Sequence, residues 1–308
     1  MIDNQHPIGS GFTAASTAGD VLDGLDLTGR QVVVTGGRGR LGAEVSRALA
    51  AAGASVTVAG RDQIDLADPA SIDAFAQRWL ASGRPVHALV NNAVPRFSPE
   101  LRLDGRGNEL SFSTSHLGHF QLTRALLPAL RRAGGARVLT VSSGAARFGE
   151  IRWDDPAFRR GYDPVQAYGQ AKRANVLFTV ELDRRYGDEG IRAFAAHPGV
   201  IIGPGPHDAS ALTSYGEQGL VDANGATIID PAAGKKTIAQ GAATLVFGAV
   251  SPLLDGLGGL YLKDSDVAVL DDTVRPLTAD SIPSDANSAM LDPADARRLW
   301  TLSEQLLD

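Results

Sequence analysis

Residues 31–52 read QVVVTGGRGRLGAEVSRALAAA. An apolar run, Val32 to Val34, enters a glycine-rich turn, TGGRGRLG at 35–42, and a helix-like run follows from Ala43 to Ala52. A strand, a glycine turn and a helix N-terminus make an anion site, because free backbone N–H groups and the helix dipole face a phosphate. A tight turn before any helix gives similar letters, so the neighbouring chain has to decide. Further strand-like runs lie at 55–59, 88–91, 137–141 and 192–197, alternating with helix-like runs near 69–81, 109–132 and 165–187. Such alternation means parallel strands joined by crossover helices: an α/β doubly wound parallel sheet in a single domain. Its ligand crevice is expected at the carboxyl ends of the strands.

The 308 residues, 44% hydrophobic, are enough to bury one full core. A net charge of −6 without any Lys/Arg block points away from nucleic acid and from anionic membranes, and toward a small-molecule substrate. There are no cysteines, and the six histidines show no metal-binding spacing, so disulfides, thiolate chemistry and a metal centre are not expected. No run reaches the roughly 18 to 20 apolar residues of a membrane span, and the N-terminus lacks signal-peptide order. The expected location is cytoplasmic. Residues 1–28, rich in Gly, Ser, Thr and Asp without periodicity, read as a flexible N-terminal arm, and 29–308 as the domain. Two irregular stretches, near 145–164 and 203–235, read as substrate-loop insertions.

Arg61 ends the second strand-like run, where an arginine suits a ribose 2′-phosphate and a carboxylate would suit a free hydroxyl. Arg38 is its candidate partner; the bland reading of both is a solvated surface arginine. Tyr168 and Lys172, four residues apart, share a helix face, and a nearby ammonium lowers a phenol pKa toward proton transfer near neutrality. Ser143 closes the run RVLTVSS, where its hydroxyl can hold a carbonyl oxygen. A lone YxxxK is common by chance. His116, His119 and His197 read as packing or hydrogen-bonding residues.

In this order and setting, the sequence resembles the short-chain dehydrogenase/reductase family, a Rossmann-fold family, in its retinol-dehydrogenase-like and carbonyl-reductase-like branch. The resemblance rests on TGGRGRLG at 35–42, Arg61-Asp62, Asp65-Leu66, Asn91-Asn92-Ala93, HLGHFQLT at 116–123, Val141-Ser-Ser143, YGQAKRANVLFTVEL at 168–182 and HPGV at 197–200, and runs to the C-terminus. It implies that Tyr168 is the proton donor to a substrate carbonyl, that Lys172 is its partner and a ribose ligand, and that Ser143 donates to the carbonyl oxygen. Ser115 stands at the position of a proton-relay residue. Cofactor contacts are implied for Gly36, Arg38, Arg40, Leu41, Arg61, Asp65, Leu66, Asn92, Ala93, Pro198 and Gly199, with Asp65 beside the adenine and Pro198-Gly199 flanking the nicotinamide. A homodimer or homotetramer paired through the helices near 109–132 and 165–187 is also implied.

The sequence departs from the family pattern at several places. The middle glycine of TGxxxGxG is Arg40, which either contacts phosphate or blocks it. NNAG becomes Asn91-Asn92-Ala93-Val94, the relay asparagine is Ser115, and Gly203 replaces a threonine. The helix expected between Arg61 and Asp65 is missing. The leading reading is an NADPH-dependent ketoreductase, with NADPH favoured over NADH by Arg61. A redox-neutral cyclase, dehydratase or isomerase, and a non-catalytic binding protein, are the alternatives. Phe148, Trp153, Phe158 and Tyr162 suggest a bulky apolar substrate, or simply pack their own loop. The Ala-, Arg- and Gly-rich composition resembles that of high-GC bacterial genes, whose reductases often serve secondary metabolism.

Overall fold

The structure, a computed structural model, describes residues 4–202, 215–276, 278 and 282–307. Seven strands form one sheet: β1 (Gln31–Thr35), β2 (Ser55–Ala59), β3 (Ala88–Asn91), β4 (Ala136–Val141), β5 (Ile191–His197), β6 (Leu260–Lys263) and β7 (Asp266–Val267). They run in the order β2-β1-β3-β4-β5-β6-β7, parallel throughout except for the last pair. The order reverses between β1 and β3, so a crevice opens above their carboxyl ends. This is a single Rossmann-type domain.

Alternate residues of each strand feed opposite faces, as the two-residue period of a strand requires. Val32, Val34, Val90, Leu139 and Phe194 pack under α2 (Arg40–Ala51) and the helix Ile238–Val250. Val33, Leu89, Val138 and Ala193 pack under α3 (Pro69–Ala81) and α4 (Gly118–Arg131), with Trp300 closing that layer. The expected elements up to His197 stand within about a residue of their expected bounds, with one exception. The stretch 109–132 is not one helix. A short turn at Leu110–Phe112 and a π-helical turn at Ser113–Leu117 precede α4. Gly118 lets this joint reach the segment after β2, since a Cβ there would lie 2.3 Å from the Leu66 carbonyl oxygen.

One expectation changes. From Asn4 onward the segment before β1 is not a free arm. Gln5 is buried, its amide donating to the carbonyls of Tyr261 and Ala268 and accepting from the Tyr261 N–H, while Asp266 accepts the N–H groups of Ile8, Gly9 and Ser10. Helix α1 (Ala18–Leu22), capped by a Thr17–Asp20 capping box, packs Val21 and Leu22 into the first core layer. The long helix α5 (Pro164–Tyr186) is buried on most of its circumference. The helix α7 (Pro293–Leu307), following α6 (Ile238–Val250), covers it with Ala296, Leu299 and Trp300. Among the described residues no helix is long and apolar enough to cross a membrane.

Candidate active site

The crevice at the switch point is a cleft of about 830 Å³. Its walls include Gly36, Arg38, Arg40, Leu41, Arg61, Asp65, Leu66, Asn92, Ala93, Ser143, Tyr168, Lys172, Pro198 and Gly199, which the sequence scatters over more than half the chain. One expected residue, Ser115, does not line it. Thr114 does. Both belong to the π-helical turn at Ser113–Leu117. Ser115 is buried with its hydroxyl unpartnered, and its carbonyl accepts a hydrogen bond from His119 Nδ1 at 2.9 Å.

Only Gly36 in the glycine-rich turn has a positive φ, +61°, and a Cβ on it would meet the Ala93 Cα at 2.8 Å. Gly42 is equally crowded, 2.6 Å from Asn92 Nδ2 and from the Gly36 carbonyl. Those two glycines are required by geometry. Arg40 is the first residue of α2, exposed and in ordinary helical backbone, so a side chain there strains nothing. Gly39 precedes it as an N-cap without any capping side chain. The first-turn N–H groups of α2 therefore point into the cleft free of side-chain partners, where a phosphate satisfies them.

Four arginines, Arg38, Arg40, Arg61 and Arg96, line the same cleft. Arg38 crosses Gly60 and pairs with Asp62 at 2.8 Å, which sets it beside Arg61 at the end of β2. The segment 60–64 is turn and no helix, leaving this end open. Arg96 carries no motif and was not anticipated. The cleft floor at 92–94 hangs on Thr35, whose hydroxyl oxygen accepts the N–H groups of Asn92 and Ala93. His119 Nε2 lies 2.8 Å from that oxygen, and burial pulls the imidazole down to about 4. A neutral ring donating from Nδ1 to Ser115 leaves Nε2 to accept from Thr35. Val94, half exposed, lines the cleft without closing it.

At the inner end, Ser143 follows β4 and caps a short 3-10 turn, its oxygen accepting the Ala145 N–H at 3.3 Å. Tyr168 and Lys172 lie on α5, the ammonium 5.5 Å from the phenol ring centre. Lys172 Nζ donates to the Val141 carbonyl at 3.1 Å, and Ser142 Oγ donates to the Lys172 carbonyl at 2.8 Å, which locks this turn of α5 to the end of β4. Burial pushes the Tyr168 phenol up, and the adjacent Ser143 hydroxyl pulls it part of the way back. Burial also brings the Lys172 ammonium down to about 8. In this fold desolvation outweighs the expected phenol-acidifying effect of Lys172. At neutral pH the pair is a protonated phenol beside an ammonium, the form that donates a proton.

A second cavity of about 240 Å³ adjoins the cleft at Ser143, His197 and Val200. Phe148, Leu220, Ile282 and Pro283 give it apolar walls. Of the four loop aromatics only Phe148 contributes. Phe158 is buried against Tyr162 and beneath Arg152, Trp153 lies under Arg298, and the Tyr162 hydroxyl donates to the Ser98 carbonyl. Of the two readings open for these aromatics, loop packing holds for Trp153, Phe158 and Tyr162. Gly203 and the rest of 203–214 lie outside the described residues. Among the described residues no cluster of His, Asp or Glu could hold a metal.

A family model described as short chain dehydrogenase matches residues 62–204. A protein named "Probable oxidoreductase" from Streptomyces lividans is 41% identical over 303 residues, covering 90% of this chain and 97% of that one. Retinol dehydrogenase 12 of Mus musculus is 32% identical over 306 residues, covering 92% of this chain and 88% of its own. The crystal structure of an uncharacterized protein from Mycobacterium paratuberculosis superposes with a TM-score of 0.67 at 31% identity, covering 95% of this chain and 97% of that one. On likeness sustained along nearly its whole length, the chain belongs to the short-chain dehydrogenase/reductase family, in its retinol-dehydrogenase-like branch, and is an oxidoreductase of that type.

Proposed function

We propose that the protein is an NADPH-dependent ketoreductase acting on an apolar ketone. The observation that carries this reading is the convergence, in one cleft, of Ser143, Tyr168 and Lys172 with an uncapped helix N-terminus and four arginines. A dinucleotide with an extra phosphate suits that wall better than a neutral molecule does. When bound, the nicotinamide supplies hydride to the carbonyl carbon.

The chain's own residues do the rest. The Ser143 and Tyr168 hydroxyls hold the carbonyl oxygen, and Tyr168 gives it a proton as negative charge develops there. Lys172 stabilises the phenolate left behind. The Arg40, Leu41 and Gly42 N–H groups, with Arg40 itself, hold the pyrophosphate, while Arg61 and Arg38 hold the ribose phosphate. The substrate sits toward the second cavity, where Phe148 and Ile282 favour an apolar body.

Calorimetric titration of the nucleotide-free protein tests the cofactor. NADPH is expected to bind in the micromolar range and NADH more weakly, and Arg61→Asp is expected to reverse the preference. Equal binding of the two nucleotides, undisturbed by Arg61→Asp, would contradict the assignment.

A further inference from the structure

His197 closes β5 and is 4% exposed, and its ring has one hydrogen bond among the described residues, from the Gly144 N–H to Nδ1 at 3.2 Å. A backbone N–H only donates, so Nδ1 is the ring's acceptor. Burial, with Lys236 close by, holds the imidazole down at about 3. The ring is therefore neutral, and its one proton is on Nε2.

No acceptor for that donor is found among the described residues. His197 walls both the cleft and the second cavity, sharing that position with Ser143 and Val200. The phosphate-turn residues wall only the cleft.

We infer that His197 Nε2–H donates a hydrogen bond to a second oxygen of the substrate, distinct from the reacting carbonyl oxygen, and so selects ketones that carry one. Besides the polar Glu217, Gln218 and Thr278, the second cavity has apolar walls at Phe148, Leu220, Ile282 and Pro283. A buried donor facing a substrate without an acceptor goes unpaired, and the penalty falls on that substrate alone. The class is a compact apolar ketone with an additional carbonyl or ether oxygen. This rests on the ketoreductase reading for the place of the reacting carbonyl.

Benzil and deoxybenzoin, which differ by one carbonyl oxygen, are the matched probes. Their equilibrium binding is measured in the presence of NADP⁺, so that no reduction intervenes. Wild type is expected to bind benzil about tenfold more tightly. His197→Asn keeps an acceptor for Gly144 but withdraws the far donor, and the ratio is expected to fall to about one. His197→Gln, whose amide N–H reaches the Nε2 place, is expected to retain part of the preference. A ratio near one in wild type, binding of neither probe, or parallel losses for both probes in His197→Asn would overturn the inference. NADPH oxidation with the same ketones separates the two readings. Discrimination without oxidation keeps the His197 role and removes the reductase reading; oxidation without discrimination does the reverse.

Discussion

Burial governs the chemistry of Lys172. Its ammonium, brought down to about 8 from an ordinary 10.5, is present below that pH and lost as pH rises through it. With the cation needed beside Tyr168, kcat/KM for ketone reduction is expected to be level up to about pH 8 and to fall roughly tenfold per unit above it. A profile level to pH 10 would show that the charge is not used. Ser143 has a chemical duty and a structural one, since its oxygen also caps the turn at Ala145. Ser143→Ala is expected to lower kcat by about 10²-fold while costing only about 1 kcal/mol of stability, read by rate assays and urea unfolding. A stability loss large enough to explain the rate would remove Ser143 from the chemistry. Arg40 stands at a helical position on the cleft wall. Arg40→Gly is therefore expected to weaken NADPH binding by about three- to tenfold, through loss of one phosphate contact. Tighter binding in that variant would mean that the arginine obstructs the turn.

The elements were largely legible because parallel strands and crossover helices leave strong local patterns: Val32–Val34, the Tyr168–Lys172 spacing and the TGGRGRLG turn all carry their meaning within a few residues. The joint at 110–118 was not legible. A π-helical turn stands at Ser113–Leu117, from which Thr114 and not Ser115 lines the cleft, and no apolar periodicity announces it. Close backbone approaches are equally silent in sequence. Gly149 lies so near Gly169, the neighbour of Tyr168, that a Cβ on it would stand 2.0 Å from the Gly169 carbonyl carbon. Gly149→Ala is expected to destabilise the fold by about 1–3 kcal/mol and to lower kcat, because the loop at 148–163 is pressed away from α5 beside the catalytic phenol. Unchanged unfolding would show that the loop yields without disturbing α5.

Across the whole molecule, the misread part is the one whose order comes from distant partners. Residues 4–28 have no periodicity of their own, yet Gln5 contacts residues 256 and 263 positions away, at the far edge of the sheet. Gln5→Ala is expected to cost about 2–3 kcal/mol, since backbone groups of Tyr261 and Ala268 lose their partners together; urea unfolding reads it. The loop aromatics stay open in the sequence between substrate and loop packing for a related reason, because Arg298 covers Trp153 from far along the chain. In the proposed reaction Tyr168, set by Ser143 and Lys172, protonates a ketone during NADPH-dependent reduction. The most direct test follows NADPH oxidation with benzil as the ketone in wild type and Tyr168→Phe, with NADPH affinity measured on both. The expected result is one NADPH consumed per ketone reduced, a loss of at least about 10²-fold in kcat in the variant, and similar NADPH affinity in the two proteins. Undiminished turnover in Tyr168→Phe, or conversion of the ketone without NADPH, would contradict it.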